Sequence, residues 1–83
     1  MELRVLRYFL AVAREESISG AAQFLHITQP TLSRQLMELE EELGVVLLDR
    51  SKKPVIATEA GEVVLERARE TLRAYDNIRE SVA

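Results

Sequence analysis

At 83 residues the chain has room for one small domain, near the size at which a single hydrophobic core is only marginally sufficient. Its 14 acids outnumber 11 lysines and arginines for a formal net charge of −3, and the absence of cysteine excludes disulfide frameworks and thiolate-held metals. The Met-Glu-Leu-Arg start lacks a signal-peptide apolar run and no stretch reaches membrane-spanning length, so a soluble, cytoplasmic protein without a membrane partner is expected.

An acidic total argues against a nucleic-acid partner, but the charges are unevenly spread. Residues 17–37 contain Arg34 and no acid, and residues 43–58 set Asp49 against Arg50, Lys52 and Lys53. The acids gather at 38–42 and along the last third, which leaves room for a basic face on an acidic body.

In chain order, residues 3–16 predict an opening helix. Leu3, Leu6, Leu10 and Ala13, with Phe9 and Val12 beside them, make a wide apolar face, and Arg4, Arg7, Arg14 and Glu15 lie mostly opposite. Arg4 and Arg7 are either solvated or within reach of phosphate. Ser17-Ile18-Ser19-Gly20 is a turn signal, with Ser19 expected to cap a short helix over 20–26 whose Ala21, Ala22 and Leu25 face inward. His26, the one histidine, has no partners for a metal site and reads as structural or phosphate-adjacent. Ile27 fills the turn that follows.

The stretch Thr28–Gly44 reads as one helix with both ends marked. Thr28 suits the N-cap, Pro30 the first turn, and Gly44 the left-handed closing position. Leu32, Leu36, Leu39 and Leu43 form its apolar stripe. Around the first two turns stand Gln29, Thr31, Ser33, Arg34 and Gln35, with no acid. Glu38, Glu40, Glu41 and Glu42 all come later. A helix entering the DNA major groove presents its N-terminal residues to base edges and its partial positive end to phosphate. Such a face also suits an ordinary solvated helix.

Two short β-like runs follow, Val45–Leu48 and Val55–Thr58, joined by the polar turn Asp49–Pro54 with its three cations. They predict a wing with a basic loop. Pro54 removes a ladder donor and confines its strand to an edge. Thr58 is placed to cap a last helix running from 59 to the end, about 37 Å long at 1.5 Å per residue. Its stripe runs Ala60, Val64, Ala68, Leu72, Tyr75, Ile78 and Val82, broadened by Val63 and Leu65. Three short helices and a hairpin are too small to cover so long a stripe, so its outer part is expected on a second chain. The helix pattern meets no stop signal at Ser81-Val82-Ala83, as expected of a segment cut from a longer protein.

Several of these words, in this order, are more specific than the pattern. Leu6–Ala13, Ala21-Ala22 with Leu25, Thr28–Leu36, Leu39–Gly44, Leu47–Arg50 and Thr58–Gly61 closely resemble the N-terminal domain of LysR-type transcriptional regulators, over about residues 3–80. The resemblance implies a mainly α fold: a winged helix-turn-helix of three helices and a two-stranded wing over residues 1–58, then a linker helix over 59–83 that pairs with its equivalent in a homodimer. It also implies a C-terminal effector-binding domain, absent from this chain, as the only route to a small-molecule effector.

By the same resemblance, Thr28, Gln29, Pro30, Thr31, Ser33 and Arg34 are the DNA-facing positions of the recognition helix, and Arg50, Lys52 and Lys53 follow the phosphates. Val64, Ala68, Leu72, Tyr75 and Ile78 are the expected dimerisation residues. Four positions depart from the family pattern. Leu48 replaces a usual Phe, Ala57 a larger aliphatic, and Gly20 a longer polar or basic residue, while Pro54 stiffens the wing.

The function expected is sequence-specific binding of double-stranded DNA by a bacterial transcription regulator, as a dimer on an inverted repeat. The alternative is a helical protein-interaction module that uses the 59–83 stripe without DNA. An enzyme is not expected, nor a metal or cofactor: there is no cysteine, one histidine, no paired acid–base constellation and no glycine-rich phosphate loop.

Overall fold

The computed structural model describes residues 1–83 as four helices and a two-stranded antiparallel sheet, in the order α1 (Leu3–Glu15), α2 (Ile18–Leu25), α3 (Gln29–Leu43), β1 (Leu48–Asp49), β2 (Ile56–Ala57) and α4 (Glu59–Ser81). This is the mainly helical winged helix-turn-helix that the sequence implied.

The inward face of α1 is centred on Phe9 and Val12, both fully buried, with Val5, Leu6 and Ala11 beside them. It is rotated from the expected face: Leu3 is exposed at the helix start, while Leu10 and Ala13 are half-buried. Glu16 closes α1 in the left-handed conformation at φ 55°, and its N–H donates to the Val12 carbonyl. The Glu16 carbonyl then accepts the Val55 N–H at 3.1 Å, tying the end of α1 to the base of the wing.

α2 begins two residues earlier than the sequence suggested. Ser17, not Ser19, is its N-cap and accepts the Gly20 N–H at 2.9 Å. Ser19 lies inside the helix and its hydroxyl meets that of Ser17 at 3.1 Å. Buried Ala21 and Ala22 present so little side chain that α1 and α3 approach closely. On the outer side of α2 the Arg14 guanidinium of α1 lies over the Phe24 ring, 4.1 Å from its centroid.

The ends of α3 are those expected. Thr28 accepts the Thr31 N–H, Pro30 stands in the first turn, and Gly44 closes the helix at φ 71°. Leu32, Leu36 and Leu39 are buried in the main core with Phe9, Val12, Leu47, Leu48 and Leu65. Leu48, the departure under the wing, fills its place at 2% exposure.

The wing is shorter than the two four-residue runs predicted. Only Leu48↔Ala57 and Asp49↔Ile56 pair. Val45 and Val46 are exposed and lie outside the strand. Val45 stays with the end of α3, its N–H donating to the Glu40 carbonyl at 3.2 Å, and the N–H groups of Leu47 and Leu48 donate to the Glu40 carboxylate at 2.7 and 3.3 Å. Pro54 falls in the loop, outside both strands.

Thr58 caps α4, accepting the Gly61 N–H at 3.0 Å and donating to the Val46 carbonyl at 2.6 Å. Here the expected stripe needs correction. Leu65 belongs to the main core, and Ala68 and Leu72 form a second small cluster with Leu6 of the same chain. Their burial in the protomer, at 2% and 4% exposure, removes both from the candidate dimer surface, and Val64 is half-buried against the main core. From residue 73 onward every side chain of α4 is exposed. The 23 residues of α4, about 34 Å at 1.5 Å per residue, give the molecule its 44 × 26 × 20 Å shape.

Candidate nucleic-acid interface

The candidate interface is built on the side of α3 opposite its leucine stripe. With Leu32, Leu36 and Leu39 turned inward, a 3.6-residue repeat turns Pro30, Ser33, Arg34 and Met37 outward. Gln29, Pro30 and Arg34 are exposed, and Ser33 is half-buried. The Thr28 hydroxyl donates to the Thr31 hydroxyl at 2.8 Å while accepting the Thr31 N–H at 3.3 Å, so these two threonines are joined at the helix entry.

The electrostatics of this end are positive in spite of the acidic total. The first turns of α3 contain no acid, and Arg34 is in no ion pair within the chain. The N-terminal end of the α3 dipole adds a partial positive charge. Two of the acids that follow are engaged: Glu40 with Arg50 at 3.0 Å, and Glu42 with the N-terminal ammonium at 3.2 Å.

In the wing, Lys52 and Lys53 are exposed at the tip and also lack ion-pair partners. The tip is held by Asp49, whose carboxylate accepts both the hydroxyl and the backbone N–H of Ser51. Those two bonds, the hydroxyl's first, and the charge of Lys52 hold the Asp49 carboxyl below its ordinary value of 3.8. Arg50 differs from the lysines, since its guanidinium is anchored on α3 through Glu40.

Of the other expected residues, His26 is the left-handed C-cap of α2 at φ 60°, its N–H donating to the Ala22 and Gln23 carbonyls. Arg7 is committed to Asp76 of α4 at 2.8 Å, and Arg4 pairs with Glu2 at 3.2 Å.

Sequence reasoning misses two residues. Met37 is 59% exposed on the outward face of α3, one turn beyond Ser33 and Arg34; its spacing is the available signal. Glu40 reads as one of the acids of the later turns; its spacing from Leu36 and Leu43 puts it beside the apolar stripe, but the partners it finds there are distant in sequence. A concavity of about 770 Å³ is lined by α1, α2, β2 and α4, with Arg14, Phe24, Ile56 and Arg69 on its wall, and does not touch α3.

Comparison with known proteins agrees with this geometry. Residues 3–62 match the family described as bacterial regulatory helix-turn-helix protein, lysR family. The HTH-type transcriptional regulator BsdA of Bacillus subtilis (strain 168) is 51% identical over 78 residues, covering 93% of this chain and 27% of BsdA. ClcR of Pseudomonas putida, another HTH-type transcriptional regulator, is 53% identical over 76 residues, 92% of this chain and 26% of its own. The crystal structure of the BenM DNA-binding domain with benA site 1 DNA superposes with a TM-score of 0.95 at 46% identity, covering 99% of this chain and 92% of that one. The chain thus spans about a quarter of the length of the curated relatives it matches. With helix-turn-helix, wing and long helix in the same order and the match running through all of them, the chain belongs to the LysR family of bacterial regulatory helix-turn-helix proteins.

Proposed function

We propose that this chain is the DNA-binding part of a transcription regulator, which inserts the N-terminal half of α3 into the major groove and lays its wing along the backbone. The observation that carries this is the acid-free, outward face of α3 with an unpaired Arg34, on a helix locked to the core by its other side. The family membership and the DNA-bound relative support the same reading.

Specificity rests on Arg34, whose planar guanidinium can bond guanine bidentately, and on Gln29, which can pair with adenine. Thr28, Thr31 and Ser33 supply less selective hydroxyls, and Pro30 and Met37 offer apolar surface to thymine methyls. Affinity comes from phosphate contacts by Arg50, Lys52 and Lys53 and from backbone N–H groups at helix starts.

The wing domain acts over residues 1–58, and the C-terminal half of the 59–83 helix makes the homodimer. Tyr75 and Ile78 are 45% and 64% exposed there, and Val82 extends the apolar edge. Two-fold symmetry then calls for an inverted-repeat target. Effector response belongs to sequence that the longer relatives possess beyond the matched region. Action on DNA places the protein in the cytoplasm, with a binding rather than an enzymatic role. No helix is long and apolar enough to cross a membrane. A protein-interaction module without DNA is disfavoured by the family match.

The test is fluorescence anisotropy of the 83-residue chain on inverted-repeat duplexes and their scrambled copies, at one stated salt concentration. Preference for an inverted repeat is expected. Absence of binding even at low salt would move the reading to the interaction module.

A further inference from the structure

An acid in the groove-facing helix of a DNA-binding domain ordinarily repels phosphate. Glu40 stands on α3, yet it is not part of the solvated acidic end: its side chain is 13% exposed, and all its acceptor capacity points into the wing. One carboxylate oxygen accepts the Leu47 N–H at 2.7 Å and the Leu48 N–H at 3.3 Å. The other accepts an Arg50 guanidinium N–H at 3.0 Å. A single side chain thus joins the last turn of α3, the entry to β1 and the first cation of the wing.

We propose that Glu40 is a positioning residue for DNA binding: its carboxylate clamps the wing to the recognition helix and orients the Arg50 guanidinium toward phosphate. The inference rests on the reading of Arg50 as a phosphate contact. A guanidinium has five N–H donors in a fixed fork, so the one bonded to Glu40 fixes the plane and leaves the outer edge free for a phosphate oxygen. Of the two backbone donors, the Leu47 N–H is the one that faces Thr58 of the other strand, so its bond to Glu40 ties the entry of β1 to α3.

The sign of one substitution separates positioning from simple charge. Glu40→Gln retains an oxygen for the Leu47 and Leu48 N–H groups but removes the charge that holds Arg50. If Glu40 acted only as a nearby acid, deleting that charge would tighten DNA binding. Positioning requires the opposite.

Binding of the 83-residue chain to a duplex of random sequence is measured over a salt series for the wild type, Glu40→Gln, Arg50→Ala and the double variant, with circular-dichroism melts of each. Glu40→Gln is expected to weaken binding about two- to fivefold, with the salt slope shallower by about one unit per protomer, as for Arg50→Ala. The double variant is expected to bind no more weakly than Arg50→Ala alone. Glu40→Asp, which keeps the charge but is too short for all three partners, is expected to weaken binding as well, and it serves as the reading should the Gln variant melt early. Tighter or unchanged binding by Glu40→Gln, beside weakened binding by Arg50→Ala, overturns the positioning role and leaves the wing reading intact. Unchanged binding by Arg50→Ala overturns the proposal at its premise, since there is then no phosphate contact to position.

Discussion

Gly61 of α4 lies directly against the backbone carbonyl of Leu47 at the foot of the wing, and a Cβ at that position would overlap the carbonyl oxygen and crowd the Ala57 methyl at 3.2 Å. The same carbonyl accepts the Thr58 N–H at 3.0 Å, so it has little freedom to withdraw. The contact sets how closely the long helix can seat on the wing.

Gly61→Ala is therefore expected to destabilise the domain by about 1–3 kcal/mol, the usual range for overpacking a close contact. Urea denaturation of the purified chain measures it. Unchanged stability would show that α4 can move away from the wing without loss.

The two halves of α4 are expected to respond differently to substitution. Leu72→Ala removes a side chain buried against Leu6 and should cost about 2–5 kcal/mol of folding stability. Ile78→Glu places a charge on a 64%-exposed residue of the proposed dimer edge and should leave the monomer's fold intact while shifting sedimentation toward the monomer. If Ile78→Glu sediments like the wild-type dimer, the edge around Tyr75 and Ile78 is not the interface.

Arg34→Ala is expected to cost about 1–3 kcal/mol on a duplex that the wild type selects from a randomised library, and to relax preference at one base position in each half-site. Repeating the selection with the variant reads this directly. An unaltered preferred sequence would refute the assignment of α3 as the reader of bases.

Lys52→Ala should weaken selected and scrambled duplexes alike and make the salt dependence shallower by about one unit for each phosphate that the variant no longer neutralises. A loss confined to the selected duplex would instead make the wing a sequence reader.

Asp49 offers a pH prediction. Its bonds from Ser51 favour the carboxylate in the folded wing, so its folded pKa lies below its unfolded one. The stabilisation is then present above the ordinary carboxylate range and disappears as the pH falls through the lowered value. Carboxyl carbon NMR should find the Asp49 midpoint below 3.8, and Ser51→Ala should return it upward.

Much of the fold was legible because its signals are local. Thr28, Gly44 and Thr58 end their helices where the sequence places them, since a cap satisfies backbone groups no more than about four residues away. The outward positions of Gln29, Pro30 and Arg34 followed from the leucine repeat of α3 for the same reason, while Thr31, Ser33 and Gln35 are half-buried on its flanks. Where two equivalent residues competed locally, the sequence could not choose: Ser17 and Ser19 have the same chemistry, and only the path of the chain leaving α1 decides which hydroxyl meets the Gly20 N–H.

What the sequence by itself determined, then, is the order of elements, both ends of α3, the start of α4 and the acid-free face of α3, all set by turn chemistry and side-chain period. Tertiary structure alone decided the rest. Periodicity assigns Ala68, Leu72, Tyr75 and Ile78 to one stripe, but only the seating of α1 on α4 buries the first two against Leu6 and leaves the last two exposed. Glu40 has the same chemistry as its neighbours Glu41 and Glu42, and its phase beside the leucine stripe names no partner for it. It becomes the link between α3 and the wing because the chain turns back after Gly44 and brings the Leu47 and Leu48 N–H groups and the Arg50 guanidinium to one carboxylate. A hydrogen-bonding group takes its role from the partners that folding delivers to it, and those seven to ten residues away are set by the path of the chain rather than by local pattern.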